Sequence, residues 1–313
     1  MESSPKVRVG VAGWSYKDWE GVVYPHGMLR RKQHPLEILA QCFDLVEINT
    51  SFYGHIRPEL AKLWCHKVAA VNPEFRFTAK LNRAFTHSPL PDSEPMSAAN
   101  LRATDEDEVR AKEGLDILAE KGMLGALLIQ FPFAFKNTPL NREYLEWLLR
   151  EFIEYPRAVE VRHESWDNPE TLAMFTLHNV AFCNIDQPLI GRSLGPTEHV
   201  TSGIGYVRLH GRNYKEWFTA ENVEDRYNYL YREAELVEWK EKIETLGRSA
   251  ETVYVVTNNH FEGRAAVNAL QLKNLLTGTR VKASETLLDH YPVLRKIADP
   301  LEEEDNEGRL FAG

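Results

Sequence analysis

Eight short apolar segments, spaced along the whole chain, constrain the fold more than any other feature of this sequence. Each has the length of a β-strand, is rich in Val, Ile, Leu and Phe, and ends in polar or glycine residues. The segments are Val7–Gly13, Leu45–Phe52, Phe75–Leu81, Gly125–Phe131, Ala158–His163, Ala181–Asp186, Gly205–Gly211 and Val253–Asn259. Helical patterns lie between most of them, which predicts parallel strands joined by helical crossovers.

Six helical patterns account for most of the connections. They are Pro35–Phe43, Pro58–Ala70, Glu106–Gly122, Asp167–Asn179, Arg232–Gly247 and Gly263–Leu276. Eight strand and helix units without an obvious break predict an α/β fold, a closed (β/α)8 barrel of the TIM type. A doubly wound open sheet is the alternative, because periodicity does not reveal whether a sheet closes on itself.

The domain organisation follows from the same pattern. We expect residues 1–298 to form a single barrel domain and the acidic residues 299–313 to form a flexible tail. Three stretches are longer than ordinary connections, and long loops in compact domains are often functional. These stretches are Asn82–Asn100, Gln187–Gly203 and Arg212–Glu224.

Composition narrows the class of protein. The 313 residues carry a formal net charge of −9, which disfavours wholesale coating of nucleic acid or of anionic membranes. No apolar run approaches the roughly 18 residues of a membrane-spanning helix, and we read no signal peptide. Three scattered cysteines predict neither a disulfide framework nor a thiolate zinc site, which fits the reducing cytoplasm.

Charged residues inside the predicted strands are the main functional signal. Side chains alternate across a strand, so Glu160 and Arg162 share one face while Val159 and Val161 share the other. The apolar face meets the helices, and the charged face is therefore predicted to point into the barrel. The same reasoning predicts an inward or mouth position for Glu47, Lys80, Gln130, Asp186, Arg208, His210, Arg212, Asn258 and Asn259.

Charges at such depth must be paired, because an isolated buried ion costs many kcal/mol. Polar side chains at the carboxyl ends of barrel strands are also where enzymes of this fold place their chemistry. The alternative is a purely structural ion-pair network that replaces apolar layers. Aromatic residues just past the strand ends, including Tyr53 and Trp166, are candidates for the wall of a substrate pocket.

Ordered motifs along the chain resemble a known family. VGVAGWSYKDWEGVVYP, FDLVEINTSFYG, FRFTAKLNRAFTH, LGALLIQFP, AVEVRHESW, NIDQP, YVRLHGRN and TNNHFEGRAAVNALQL occur in that order. Together they resemble the YecE-like family, the domain of unknown function numbered seventy-two, over roughly Val7 to Leu276. The resemblance implies a TIM-type barrel and no established activity. Thr257 and Ala12 depart from the family pattern, where an aromatic residue and a Ser or Thr are expected.

The first functional hypothesis is an enzyme that acts on a small anionic, perhaps phosphorylated, molecule. Arg208 and Arg212 would bind the anion together with the helix N-terminus at Gly263 and Arg264. Glu47, Glu160 and Asp186 are candidate general bases, and His210 or His163 is a candidate proton carrier. Lys80 would stabilise negative charge or form a Schiff base.

Two further hypotheses stay open at the level of sequence. Carboxylates together with His210 would allow a divalent metal and a phosphodiesterase or nuclease that acts on nucleic acid, although the inward arginines argue against a cation. The residues therefore predict no cofactor and no metal ligand set. The other hypothesis is a ligand-binding barrel without chemistry.

Overall fold

A closed barrel of eight parallel strands forms the body of the molecule. The structure is a computed structural model that describes residues 6–28, 33–87, 101, 103–214 and 227–302. The strands are β1 (Lys6–Ala12), β2 (Leu45–Ile48), β3 (Arg76–Lys80), β4 (Leu124–Gln130), β5 (Arg157–Glu160), β6 (Val180–Asp186), β7 (Ile204–Leu209) and β8 (Thr252–Thr257). Each pairs with the next in chain order, and β8 pairs with β1. The predicted α/β barrel is confirmed, and the open sheet is wrong because no free edge remains.

Helices surround the barrel as the alternation predicted. They are α1 (Pro35–Cys42), α2 (Pro58–Ala69), α3 (Asp105–Glu120), α4 (Pro139–Glu151), α5 (Pro169–Leu177), α6 (Glu233–Gly247) and α7 (Arg264–Thr277). Local sequence sets several of their ends: Asn168 caps α5 by accepting a hydrogen bond from Thr171 N, with Pro169 in the first turn. The cap Thr138 and Pro139 start α4, a helix that the sequence analysis missed although its start signal was present.

The connection from β6 to β7 contains no helix. Asn184 holds this loop in place from the outer face of β6, because its Oδ1 accepts hydrogen bonds from Thr197 Oγ1 and His199 N, both at 2.8 Å. The loop therefore covers this side of the barrel in place of a helix. The described parts of the other two long stretches end at His87 and Tyr214, and residues 88–100 and 215–226 lie outside the described residues.

A small addition follows the last barrel helix. Strands β9 (Val281–Ala283) and β10 (Ala298–Pro300) form a parallel two-stranded sheet, with α8 (Glu285–His290) between them. β10 extends two residues past residue 298, where the barrel domain was expected to end. Residues 303–313 of the expected tail lie outside the described residues. None of the helices in the described part of the chain combines the length and apolar character needed to cross a bilayer.

Candidate active site at the barrel mouth

Four buried side chains form an ion-pair cluster inside the carboxyl end of the barrel. We call Glu47, Glu160, Arg208 and His210 the inner cluster; each of them is 0% exposed. Arg208 donates from Nε and Nη2 to the two oxygens of Glu47, at 3.0 and 2.6 Å, and from Nη1 to Glu160 Oε2. The predicted inward placement of these residues is confirmed by these contacts. Arg208, however, has its donors taken by protein carboxylates rather than facing outward to bind an anion.

Burial and neighbouring charges act in opposite directions on the pKa of Glu160. Burial alone would raise the pKa of Glu160, but the Arg208 guanidinium, with His210 and Arg162, holds it well below the usual range. The His210 imidazole lies 3.3 Å from Glu160 Oε1 and 3.1 Å from the Asn258 amide nitrogen. Burial nevertheless lowers the pKa of His210 to about 3, so this imidazole is neutral at pH 7.

Neutral polar side chains form further hydrogen bonds with the inner cluster. The Tyr206 hydroxyl lies 3.0 Å from Glu47 Oε2 and 2.8 Å from Thr78 Oγ1, on the two strands across the barrel. Gln130, at the end of β4, accepts from Arg208 Nη1 at 3.3 Å. Buried charges need this degree of hydrogen bonding, because each unsatisfied polar group would add to the cost of desolvation.

Lys80 ends β3 beside the inner cluster and differs from its neighbours in being unpaired. It is half-buried, and its ammonium makes no hydrogen bond or ion pair with any of the described residues. Its nitrogen lies 5.6 Å from the centre of the Phe52 ring. Burial and the nearby Arg208 charge lower the pKa of Lys80 to about 7, against the opposing effect of Glu47 and Glu160. Both the ammonium and the neutral amine of Lys80 are therefore accessible around neutral pH.

Further side chains with partial exposure surround Lys80 at the mouth. Arg162 donates from Nε to Glu160 Oε1 at 2.9 Å, and its side chain keeps 16% exposure. Burial, followed by the charges of Arg162 and Lys80, lowers the pKa of His87 to about 3. On the opposite side, the Tyr16 ring stacks on His260 with 4.3 Å between ring centres. The wall of the mouth therefore combines cationic and neutral aromatic groups.

Two of these side chains had been considered in the sequence only in other roles: Tyr16 as one of the aromatic residues that could wall a pocket, and His260 as a possible metal ligand. Asn49 and His87 were not selected as site residues, although each lies within a few residues of a strand end or on the loop that follows one. Asn49 shares a strand face with Glu47, which was the available signal. For Tyr16, His87 and His260, position depends on how the loops fold back over the barrel.

Two predicted site residues face away from the mouth. On β6, the inward residue is Cys183, whose thiol is close enough to be influenced by Glu160 and Arg208. Asp186 therefore points outward, where it accepts from Arg212 Nε at 2.9 Å. Arg212 also contacts Glu235 in α6. The predicted inward placement of Asp186 and Arg212 is wrong, since β6 presents its other face to the barrel and β7 ends at Leu209, before Arg212.

The two aromatic residues named for the pocket wall lie in different surroundings. Trp166 is completely buried behind β5, where its indole N–H donates to Phe135 O at 2.7 Å and its ring stacks on Phe135. It belongs to the core and not to the pocket, which corrects that prediction. Tyr53 is 75% exposed beside the mouth and packs edge-to-face on Phe52.

The residues predicted to bind an anion at the start of α7 contact other parts of the protein. Gly263 has a φ of +77°, and a Cβ there would lie 2.8 Å from Val23 Cγ2, so the loop after β1 packs closely against this glycine. Arg264 contacts Glu262, Asn228 and the Phe261 ring. Asn259 also points away from the mouth, donating to Tyr229 O and to Asn268 in α7, both at 2.8 Å. These three residues stabilise the β8–α7 connection.

The structure thus brings together eight of the predicted site residues. They are Glu47, Lys80, Gln130, Glu160, Arg162, Arg208, His210 and Asn258. In the part of the chain that the structure describes, no three His, Cys, Asp or Glu side chains are grouped in a way that would hold a metal ion. The eight residues include side chains of the types that transfer protons and bind anions.

A closed (β/α)8 barrel with a polar, partly cationic mouth defines the class to which this chain belongs: a TIM-type barrel with a site at the carboxyl ends of its strands. Its family follows from comparison with known proteins. The family described as "Protein of unknown function DUF72" matches residues 8–290, and the chain belongs to that family.

Relatives agree with this assignment. The chain is similar to the UPF0759 protein YunF of Bacillus subtilis (strain 168), with 28% identity over 286 residues, or 86% of this chain and 94% of YunF. A crystal structure of a DUF72 family protein from Thermotoga maritima MSB8 is 34% identical, with a TM-score of 0.72, over 87% of this chain and 99% of that one. Another from Enterococcus faecalis V583 is 27% identical, with a TM-score of 0.71, over 86% and 95%.

Proposed function

We propose that this barrel is an enzyme that acts on a small anionic substrate by proton transfer at the mouth, with Lys80 as the catalytic residue. The observation that carries the proposal is the Lys80 amine, which is inward-facing, accessible and without a hydrogen-bonding partner among the described residues. A structural lysine in a barrel would be paired, as Arg208 is. An amine with a pKa near 7 is matched to proton transfer at neutral pH.

Each neighbour has a role in this proposal. The neutral Lys80 amine takes a proton from the substrate through its lone pair, which leaves an ammonium next to an anionic product. Arg162, the more exposed of the inward arginines, binds the substrate anion and stabilises the charge that develops. Arg208 acts as a positioning residue, because it holds Glu47 and Glu160 and lowers the pKa of Lys80 through its charge. Asp186 has no part in the reaction.

The proposal predicts that anion binding and the ionisation of Lys80 are coupled. A bound anion favours the ammonium, so the pKa of Lys80, about 7 in the free protein, should rise when phosphate binds. The measurement is the pH titration of lysine side-chain carbon resonances by NMR, with and without phosphate. Lys80→Met should remove the resonance that titrates near pH 7, and Arg162→Ala should weaken phosphate binding by tenfold or more.

Lys62→Met, at an exposed position in α2, is the matched control and should leave both the titration and phosphate binding unchanged. If no lysine titrates near pH 7, or phosphate does not alter the one that does, the proposal fails. Turnover separates an enzyme from a binding protein. Activity on a panel of small phosphates and carboxylates should rise as pH increases through 7 and be lost in Lys80→Met, whereas binding without turnover would favour a non-catalytic barrel.

A further inference from the structure

A cleft opens beside the mouth, between the loops that follow β1 and β2. Its volume is about 560 Å³, which is in the range of small-molecule sites. The residues that line it include Trp14, Tyr16, Asn49, Tyr53, Ile56 and Trp64. The rings of Trp14 and Trp64 meet edge-to-face with 5.1 Å between their centres, so two indoles form one wall.

The two indoles differ from the other buried tryptophans of the described chain. Trp19 and Trp166 each donate the indole N–H to a backbone carbonyl, at 2.8 and 2.7 Å. Trp14 and Trp64 are 9% and 7% exposed, yet neither N–H has a hydrogen-bond partner among the described residues. Buried tryptophans usually satisfy this donor. The cleft therefore combines a flat apolar wall with donors that remain available.

The cleft lies next to Lys80. Ile48 and Ala79 are paired across β2 and β3, so the next residues, Asn49 and Lys80, follow side by side at the strand ends. Asn49 lines the cleft and retains bonding capacity: its Nδ2 reaches only the Tyr16 hydroxyl, at 3.5 Å, and its Oδ1 has no partner among the described residues. Tyr16 also lines the cleft, and it is close enough to Glu47 and Arg208 for their charges to act on its hydroxyl.

We infer that the substrate carries a flat apolar ring with hydrogen-bond acceptor atoms next to its anionic group, and that this ring occupies the cleft while the anion faces Lys80 and Arg162. This inference rests on the proposed function and names the class of substrate, an aromatic or heteroaromatic anion. The indoles and the exposed Tyr53 contact the ring, and the indole N–H groups and the Asn49 amide provide orientation. Binding energy from the ring would position the reacting group against the Lys80 amine.

Calorimetric titration of the full chain with inorganic phosphate and with phenyl phosphate tests the inference. Phenyl phosphate should bind about tenfold more tightly or better, since the ring removes roughly 100 Å² of apolar surface from water. Tyr53→Ala should reduce that advantage several-fold without changing the affinity for inorganic phosphate. Tyr53 is largely exposed, so this variant should fold. Trp147→Ala removes an exposed aromatic residue from α4, across the barrel, and is the matched control.

The possible outcomes distinguish failure of this inference from failure of the proposed function. Equal affinity for the two compounds, with binding that depends on Lys80, would overturn the aromatic substrate and leave the proposed function standing. Tighter binding of phenyl phosphate that does not depend on Lys80 would place the ligand elsewhere and overturn the inference. No binding of either compound would overturn both. A preference for phenyl phosphate that is lost in Tyr53→Ala and kept in Trp147→Ala supports the inference.

Discussion

Arg208 is the single residue on which the inner cluster depends. Its guanidinium bridges two carboxylates that are completely buried, Glu47 on one side of the barrel and Glu160 on the other. Loss of one member of a buried ion pair leaves the others charged without compensation, which costs far more than loss of a surface pair. Lys80, two strands from β5, has no such partner among the described residues, and for this reason we propose Lys80 and not Arg208 as the reactive cation.

Replacement of Arg208 by Met should lower the free energy of unfolding by about 3–5 kcal/mol, because Glu47 and Glu160 would stay buried without a cation. Urea denaturation at pH 7 measures the change. Arg142→Met is the matched control: Arg142 pairs with the largely exposed Glu170, so its loss should cost about 1 kcal/mol or less. Similar losses in the two variants would show that the inner ion pairs contribute little to stability.

At the scale of elements, the β8–α7 connection contains a glycine whose position is explained by packing. Gly263 begins α7 in the left-handed region, with φ +77°, and packs against Val22 and Val23. The same glycine was predicted to lie at a helix N-terminus that binds an anion. The close approach of the loop after β1 was not visible in sequence, because it joins residues about 240 positions apart. A glycine at position 263 indicated an unusual backbone conformation, and the structure shows that it lies against Val22 and Val23.

A pair of glycines at the two ends of α7 tests this account. Gly263→Ala should destabilise the protein by roughly 1–3 kcal/mol more than Gly278→Ala. Both positions have positive φ, +77° and +67°, so the backbone strain of alanine is similar. They differ in space, since a Cβ at Gly263 meets Val23 at 2.8 Å and a Cβ at Gly278 meets nothing within 4 Å. Thermal unfolding of the two variants measures the difference, and equal losses would contradict the packing role.

The whole molecule holds several imidazoles in neutral form around one mouth. Burial is the main cause that lowers the pKa of His87 and His210 to about 3 and that of His260 to about 4. In an unfolded chain a histidine has a pKa near 6.5. The unfolded state therefore binds more protons than the folded state between these values. The resulting stability is fully present above about pH 6.5 and is lost as pH falls through this range.

Stability should accordingly decrease between pH 6.5 and pH 5, by up to about 1.4 kcal/mol per pH unit for each of these histidines. Urea denaturation at several pH values measures the slope. The double variant His87→Gln, His260→Gln should flatten the slope by removing two of the groups. His66→Gln, at an exposed position in α2, is the control and should keep the wild-type slope. An unchanged slope in the double variant would refute this origin of acid sensitivity.

The sequence by itself determined a parallel α/β fold and most of the inward charges. Strand-length apolar runs that alternate with amphipathic helices leave a closed barrel or a doubly wound open sheet, and period-two alternation identified Glu47, Lys80, Glu160, Arg208 and His210 as neighbours. Both signals are local, since they depend on residues a few positions apart. A third local signal, Asn168 followed by Pro169, accounts for the start of α5.

Only the tertiary structure decided which face of β6 points inward, and hence that Asp186 leaves the site. The polar face of β6, with Asn184 and Asp186, meets the covering loop and Arg212 instead of the barrel interior, so closure of the barrel and its register settle the matter. The stacking of Tyr16 on His260 has a similar origin: loops distant in sequence fold over the same end of the barrel. Local sequence pattern thus specifies the strands and helices. Which strand face points inward, and how a site is assembled from several elements, depend on contacts that no single segment contains.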